Sequence, residues 1–155
     1  MIGCPLENKF PLGDSRSAPM DERYVGKWVP TESSEIVYIW ILPFNENEYY
    51  MELNGFKKEF VMYRSFLSVM DNVHIFNVQP ISDKKDIVYM PDRLYFFLKL
   101  ALSDNNNVLT IWNIENKGFN DKNNSKEELF KYVQKNILND NVYDIVGVFK
   151  RDVQN

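Results

Sequence analysis

Short runs of apolar and aromatic residues recur along the chain from residue 24 onward, and clusters of Asn, Asp, Gly and Ser separate them. This pattern is typical of consecutive antiparallel strands. It predicts eight strands, over residues 25–30, 36–44, 47–54, 59–69, 73–79, 93–102, 107–114 and 145–151. Most linkers between these runs are hairpin-sized. They favour antiparallel neighbours, because a parallel crossover needs about a dozen residues.

One helix is predicted before the last strand. Ser125 and Glu128 have the spacing of a capping box. The apolar residues that follow recur at helical spacing and form one face: Leu129, Tyr132, Val133 and Ile137. Eight strands and one helix predict a mainly β fold, an antiparallel eight-stranded up-and-down barrel. An open, strongly curled sheet fits the same pattern, since the two differ only in whether the first and last strands pair.

Residues 1–23 contain three prolines and show no sustained periodicity. They predict an extended leader or tether, in which Asp21 caps a short helical turn. A single domain over residues 24–155 follows. Strand 36–44 and the segment 94–98 are apolar on both faces, which indicates that the outside of the barrel is covered by the helix and the leader. An exposed patch that docks a partner is the alternative.

The amino-acid composition argues against several classes of binding site and function. The chain of 155 residues carries a net charge of −4, which argues against nucleic-acid binding because that requires a basic face. One His and one Cys exclude a disulfide framework and any Cys/His zinc cluster. All glycines are isolated, so no phosphate-binding loop is present. We therefore expect no metal, no cofactor and no catalytic residue, and we expect His74 to be a strand histidine that hydrogen-bonds a neighbouring residue.

The segment Ile2-Gly3-Cys4 resembles the end of a bacterial lipobox, the motif that precedes a lipid-modified cysteine. The resemblance implies that Cys4 carries a lipid anchor and that the protein lies in the cell envelope, facing the periplasm or the cell surface. The alternative is a cytoplasmic protein in which Cys4 has no such role.

The segment Gly26-Lys27-Trp28 at the start of the first strand is similar to the G-x-W motif of lipocalins. This resemblance implies that Trp28 closes the base of the barrel and that Arg151, near the end of the chain, packs across its ring. Gly26, Trp28 and Arg151 are therefore the expected barrel-closing residues. The whole pattern also resembles small bacterial lipoproteins that have no assigned activity.

These observations predict a non-enzymatic, lipid-anchored envelope protein that binds a small apolar ligand or a protein partner. An eight-stranded barrel just encloses a small molecule, although scarce glycine and abundant aromatics favour a filled interior. The candidate ligand-lining residues, or their neighbours on the alternate face, are Trp40, Arg64, Phe66, Phe96 and Trp112. Arg64 is alternatively paired outside the barrel with an acid such as Glu52. A cytoplasmic interaction module and, last, a small hydrolase are the alternative functions.

Overall fold

The computed structural model of the protein describes residues 4–55, 60–82 and 93–153. Within these ranges the chain forms nine strands, one α-helix and two short 3-10 helices. The strands are β1 (Glu7–Asn8), β2 (Gly26–Pro30), β3 (Ile36–Pro43), β4 (Tyr49–Gly55), β5 (Phe60–Met70), β6 (Val73–Ser82), β7 (Tyr95–Ser103), β8 (Val108–Ile114) and β9 (Tyr143–Arg151). The helix α1 spans Lys126–Asn136, and the 3-10 helices span Glu22–Tyr24 and Asp140–Val142.

Strands β2 to β9 form a closed antiparallel barrel. Each strand pairs with the next along the chain, and β9 pairs back with β2. In this last pairing Trp28 lies opposite Arg151, and Pro30 lies opposite Phe149. The pairing of the first and last barrel strands distinguishes a closed barrel from a curled sheet. The predicted eight-stranded barrel is therefore confirmed, and it is consistent with a lipocalin-like fold.

The barrel interior forms one hydrophobic core. Strand alternation turns one face of every strand inward. Its largest fully buried side chains include Trp28, Tyr49, Phe76 and Phe149. These rings fill the end of the barrel at which β2 meets β9, so that end has a solid interior.

A second core lies outside the barrel, under the leader and the helix. The apolar face of α1 contributes Leu129 and Val133, which pack with Phe97 of β7 and Leu6 of the leader. Phe97 faces outward, because it pairs with Asn77 on the outer side of the sheet. The helix and the leader thus cover the second apolar face of β7, as the sequence predicts. The outer face of β3 differs, since Trp40 there is 40% exposed.

The leader packs closely against the barrel. Strand β1 pairs with the start of β7, where β7 has diverged from β8. The Leu6 N–H donates to the carbonyl of Ile114 at 2.8 Å, and the side chains of Leu6, Asn8 and Leu12 are buried. From Leu6 onward the leader is thus part of the barrel domain, which differs from a free tether. The predicted turn is present, with Asp21 as its N-cap.

No helix in the described ranges has the length and apolar character needed to cross a lipid bilayer.

Candidate functional site

The base of the barrel is closed by Arg151 and Trp28. The guanidinium carbon of Arg151 lies 4.3 Å from the centroid of the buried Trp28 ring. Its Nη1 donates to the carbonyl of Val25 at 2.7 Å, and its Nη2 donates to that of Arg23 at 2.6 Å. Gly26 has φ +146°, and a Cβ there would lie 2.6 Å from Arg151 Nη1. Glycine is therefore required where the arginine crosses the chain.

Hydrogen-bonded phenols complete this closed end. The Tyr24 hydroxyl is hydrogen-bonded to His74 Nδ1 at 2.6 Å, so the single histidine has a partner from the neighbouring leader segment. The Tyr49 hydroxyl donates to the carbonyl of Asp21 and accepts from its N–H. Burial raises the pKa of Tyr24, and it raises the pKa of Tyr49 to about 12. Both phenols are thus neutral and structural at ordinary pH.

The other end of the barrel contains a cavity of about 190 Å³. Its floor consists of buried side chains, and its rim consists of half-buried ones. The floor residues are Ile39, Met51, Val78, Leu98 and Ile111, and the rim residues are Leu53, Tyr63, Phe96, Asn113 and Val146. The interior is thus filled at the closed end and open at the other, which combines the two sequence-based alternatives.

Few polar groups face this part of the interior. Asn113 supplies the one amide among the described lining residues, and none of those residues carries a charge. Ser65 lies on the inner face directly opposite Val78. The Ser65 side chain is only 1% exposed, and its hydroxyl has no hydrogen-bond partner among the described residues. The cavity therefore offers an apolar surface with two neutral hydrogen-bonding side chains at its rim, the amide of Asn113 and the hydroxyl of Tyr63.

The structure places one predicted lining residue in the cavity and two predicted tryptophans outside it. Phe96 lies on the cavity rim. Trp40 lies on the outer face of β3, because its neighbour Ile39 points inward. Trp112 is also on the outer face, where Lys99 Nζ lies 4.7 Å from its ring centroid, and Ile111 points inward instead. For these two strands, the alternate-face neighbours line the cavity.

Arg64 and Phe66 also lie on the outer face of β5. Arg64 forms a bidentate pair with Glu48, with N···O distances of 2.8 and 2.6 Å. Burial of Glu48 opposes its ionisation, but its hydrogen bonds, led by those from Arg64, outweigh this and lower its pKa. Arg64 thus has an acidic partner outside the barrel, as the alternative prediction stated, but that partner is Glu48. Glu52 instead accepts hydrogen bonds from two tyrosine hydroxyls. Phe66 is buried and packs edge-on against Tyr95 at 6.3 Å.

The described residues show no grouping for metal chemistry: among them, no three His, Cys, Asp or Glu side chains lie together in a way that could hold an ion. Cys4 is exposed. It lies at the start of the leader, where its carbonyl accepts from the Asn116 N–H at 2.9 Å.

Sequence reasoning missed Asn113 as a site residue. A signal for it exists, because Asn113 continues the two-residue alternation of Leu109 and Ile111, which both face the interior. A large polar residue in an otherwise apolar inward series is costly to bury, so it favours a position that water can reach, such as the open end of a barrel.

No protein-family model matches this chain, and no curated protein or solved structure is detectably similar to it. The geometry of the barrel is therefore what bears on its function.

Proposed function

We propose that this protein is a non-enzymatic binding protein that holds a small apolar ligand in the open end of its barrel. The observation that carries the proposal is the cavity of about 190 Å³, in which nine of the ten lining residues are aliphatic, aromatic or methionine. Pockets of this type, largely apolar with few polar groups, are the common form of small-molecule site. Removing an apolar ligand from water supplies the driving force.

The volume sets the size of the ligand. An enclosed apolar cavity of about 150 Å³ accepts benzene, so the present cavity has room for one ring or a chain of about six to eight carbons. Sites for drug-sized ligands are larger, at about 300–1,000 Å³. The preferred ligand is therefore a compact apolar molecule rather than a complete long-chain lipid.

Toluene is a suitable probe, measured by calorimetry and by thermal unfolding of the full chain. At ten times its dissociation constant it should stabilise the fold by about 1.4 kcal/mol, which raises Tm by about 3–6 °C for a domain of this size. Val146→Trp fills the rim of the cavity and should abolish the effect. Ile145→Trp is the matched control, because Ile145 is adjacent in sequence but 57% exposed on the outer face.

Equal toluene responses in Val146→Trp and Ile145→Trp would show that the cavity is not the site. Because Val146→Trp places a large side chain near the core, its cooperative unfolding has to be verified. Leu53→Phe is a milder change on the same rim and should weaken binding in the same direction. No saturable response in the unmodified protein overturns the proposal.

We also propose that a lipid on Cys4 anchors the protein in the cell envelope. The resemblance to a lipobox and the exposed thiol support this. Strand β8 leads from Asn113 on the cavity rim to Asn116, which bonds the Cys4 carbonyl. The anchor and the cavity mouth would therefore lie at the same end of the barrel. The test is labelling with a palmitate analogue, with the upstream genomic sequence included. Label should enter the native protein and not Cys4→Ala, and label in both or in neither removes the anchor.

A second candidate function, as an interaction module, is favoured by the uncovered outer face of β3. Trp40 on this face and Phe44, just after the strand, are 40% and 51% exposed, and Trp is enriched at the centres of protein interfaces. If a second copy of the chain is the partner, sedimentation velocity should show association that Trp40→Lys abolishes. Leu138→Lys, at an exposed apolar position after α1, should not affect association. A monomer at all concentrations contradicts self-association.

A further inference from the structure

We propose, resting on the proposed function, that the ligand is an uncharged molecule with one hydrogen-bonding group. In this proposal the side-chain amide of Asn113 binds that group. The natural class is therefore a compact alcohol, ketone or similar neutral compound, and organic anions and cations are excluded.

The position of Asn113 supports this assignment. Asn113 lies on the inner face of β8, opposite Leu98, and forms part of the cavity rim. Its side chain makes no hydrogen bond to another residue in the described part of the chain. An amide offers both a donor and an acceptor, so it can bind a hydroxyl or a carbonyl. Asn113 is half-buried at the rim, so a ligand group that bonds its amide replaces water there and gains the modest net value of one neutral hydrogen bond.

The charge distribution excludes an anion. Among the described lining residues there is no Lys or Arg to pair with a carboxylate. An ion taken from water without a partner loses hydration that nothing replaces. A carboxylate of matched size should therefore bind at least about a hundredfold more weakly than the alcohol.

A cation is also disfavoured, for a different reason. Asp144 is on a neighbouring strand but does not line the cavity, so an ammonium group inside would lack a direct carboxylate partner. The lining offers it only neutral contacts. We expect benzylamine, which is protonated at pH 7, to bind more weakly than benzyl alcohol.

The experiment measures dissociation constants of the full chain at pH 7 for toluene, benzyl alcohol, benzoate and benzylamine. These probes share one ring and differ in their polar group. The diagnostic quantity is the ratio of the constants for benzyl alcohol and toluene, because the hydrophobic contribution of the ring largely cancels. Asn113→Leu should weaken the binding of benzyl alcohol relative to that of toluene by about threefold to tenfold. This factor corresponds to the loss of one neutral hydrogen bond.

Ser65→Ala is the matched control. It removes another neutral polar group from the inner face, but Ser65 does not line the cavity. The alcohol-to-toluene ratio should therefore be unchanged. If Asn113→Leu does not unfold cooperatively, Asn113→Val removes the same amide with less added bulk.

The outcomes separate the two proposals. An unchanged ratio in the Asn113 variants, with toluene still bound, overturns the role of Asn113 and leaves the cavity function standing. Binding of benzoate or benzylamine as tight as that of benzyl alcohol overturns the uncharged ligand class. If none of the four probes binds saturably, the proposed function itself fails.

Discussion

Replacing Arg151 by methionine removes the charge that closes the base of the barrel but keeps a long apolar side chain. The native guanidinium lies over the Trp28 ring at 4.3 Å. It also donates to the carbonyls of Val25, Arg23 and Asn106, at 2.7, 2.6 and 3.2 Å. These contacts join the end of β9 to the segment before β2 and to the β7–β8 turn. The variant therefore loses the side-chain hydrogen bonds of Arg151 at the closed end, where the first and last strands of the barrel, β2 and β9, meet.

The magnitude follows from these contacts. A cation–π contact of this kind contributes about 1–2 kcal/mol, and Arg151 is half-buried. A hydrogen bond from a charged group contributes about 1.5–3 kcal/mol when water is excluded. Water can reach these carbonyls at the end of the barrel, so we assign the hydrogen bonds of Arg151 about 1 kcal/mol in total. Arg151→Met should thus lower the free energy of unfolding by about 2–3 kcal/mol. For a domain of this size, Tm falls by roughly 4–12 °C.

Gly26 gives an independent check on the same geometry. Gly26→Ala places a Cβ 2.6 Å from Arg151 Nη1 and forces alanine to adopt φ +146°. In the Arg151→Met background only the backbone strain remains. The double variant should therefore be less destabilised than the sum of the two single variants, by about 0.5–2 kcal/mol.

Urea denaturation of the native protein and of each variant measures these free energies. Lys150→Met is the control, because Lys150 is adjacent in sequence and its side chain is exposed. It should change stability by less than about 0.5 kcal/mol. If Arg151→Met is no more destabilising than Lys150→Met, the guanidinium does not close the barrel. Strict additivity of Gly26→Ala and Arg151→Met would contradict the close approach.

Three further predictions concern the interior and the helix. Burial raises the pKa of Tyr24 and of Tyr49, the latter to about 12, so both phenols stay protonated in the fold after they ionise in the unfolded chain. The contribution of these two tyrosines to stability should be constant below about pH 10 and fall by about 1.4 kcal/mol per tyrosine for each pH unit above it, until each ionises in the fold; Tyr49→Phe should make this decline shallower in urea titrations. Ser65→Ala removes a buried hydroxyl without a partner and should raise the free energy of unfolding by about 1 kcal/mol, so a loss of stability would contradict the orphaned hydroxyl. Ser125→Ala breaks the capping box with Glu128 and should cost about 1 kcal/mol in the same assay, whereas Lys126→Ala should have little effect.

The fold was largely predictable because its signals are local. Period-two alternation and short linkers predict the strands, and the spacing of Leu129 and Val133 predicts the face of α1 that packs on the barrel. The relation of Trp28 to Arg151 came from the resemblance to lipocalins, and the structure places the two residues in direct register.

The inward face of the strands was the harder inference. Strand β3 is apolar on both sides, so alternation alone does not distinguish Ile39 from Trp40. Barrel closure decides it, because the register of β3 against β2 and β4 turns Ile39 inward. The same applies to Ile111 and Trp112. The sequence leaves Trp112 and its alternate-face neighbour equally possible as lining residues, and the pairing of β8 with β9 turns Trp112 outward.

Contacts between residues that are far apart in sequence account for the other differences between the sequence-based predictions and the structure. Strand β1 has only two residues and no pattern of its own; it forms because the divergence of β7 from β8 leaves main-chain groups for the leader to bond. Arg64 bonds Glu48 rather than Glu52 because the two tyrosine hydroxyls that bond Glu52 come from β3 and β4. Such choices depend on packing between elements, which linear patterning does not contain.

The most direct measurement of the central claim is a methyl NMR titration of the protein with toluene. The protein has two hydrophobic cores, one inside the barrel and one under the leader and the helix, and the proposed ligand cavity lies in the inner one. Toluene should perturb the methyl signals of Ile39, Met51 and Ile111 in a saturable way and leave those of Ile75 and Val133 in the outer core unchanged. Saturable shifts confined to the outer core, or no shifts in either core, would contradict ligand binding inside the barrel.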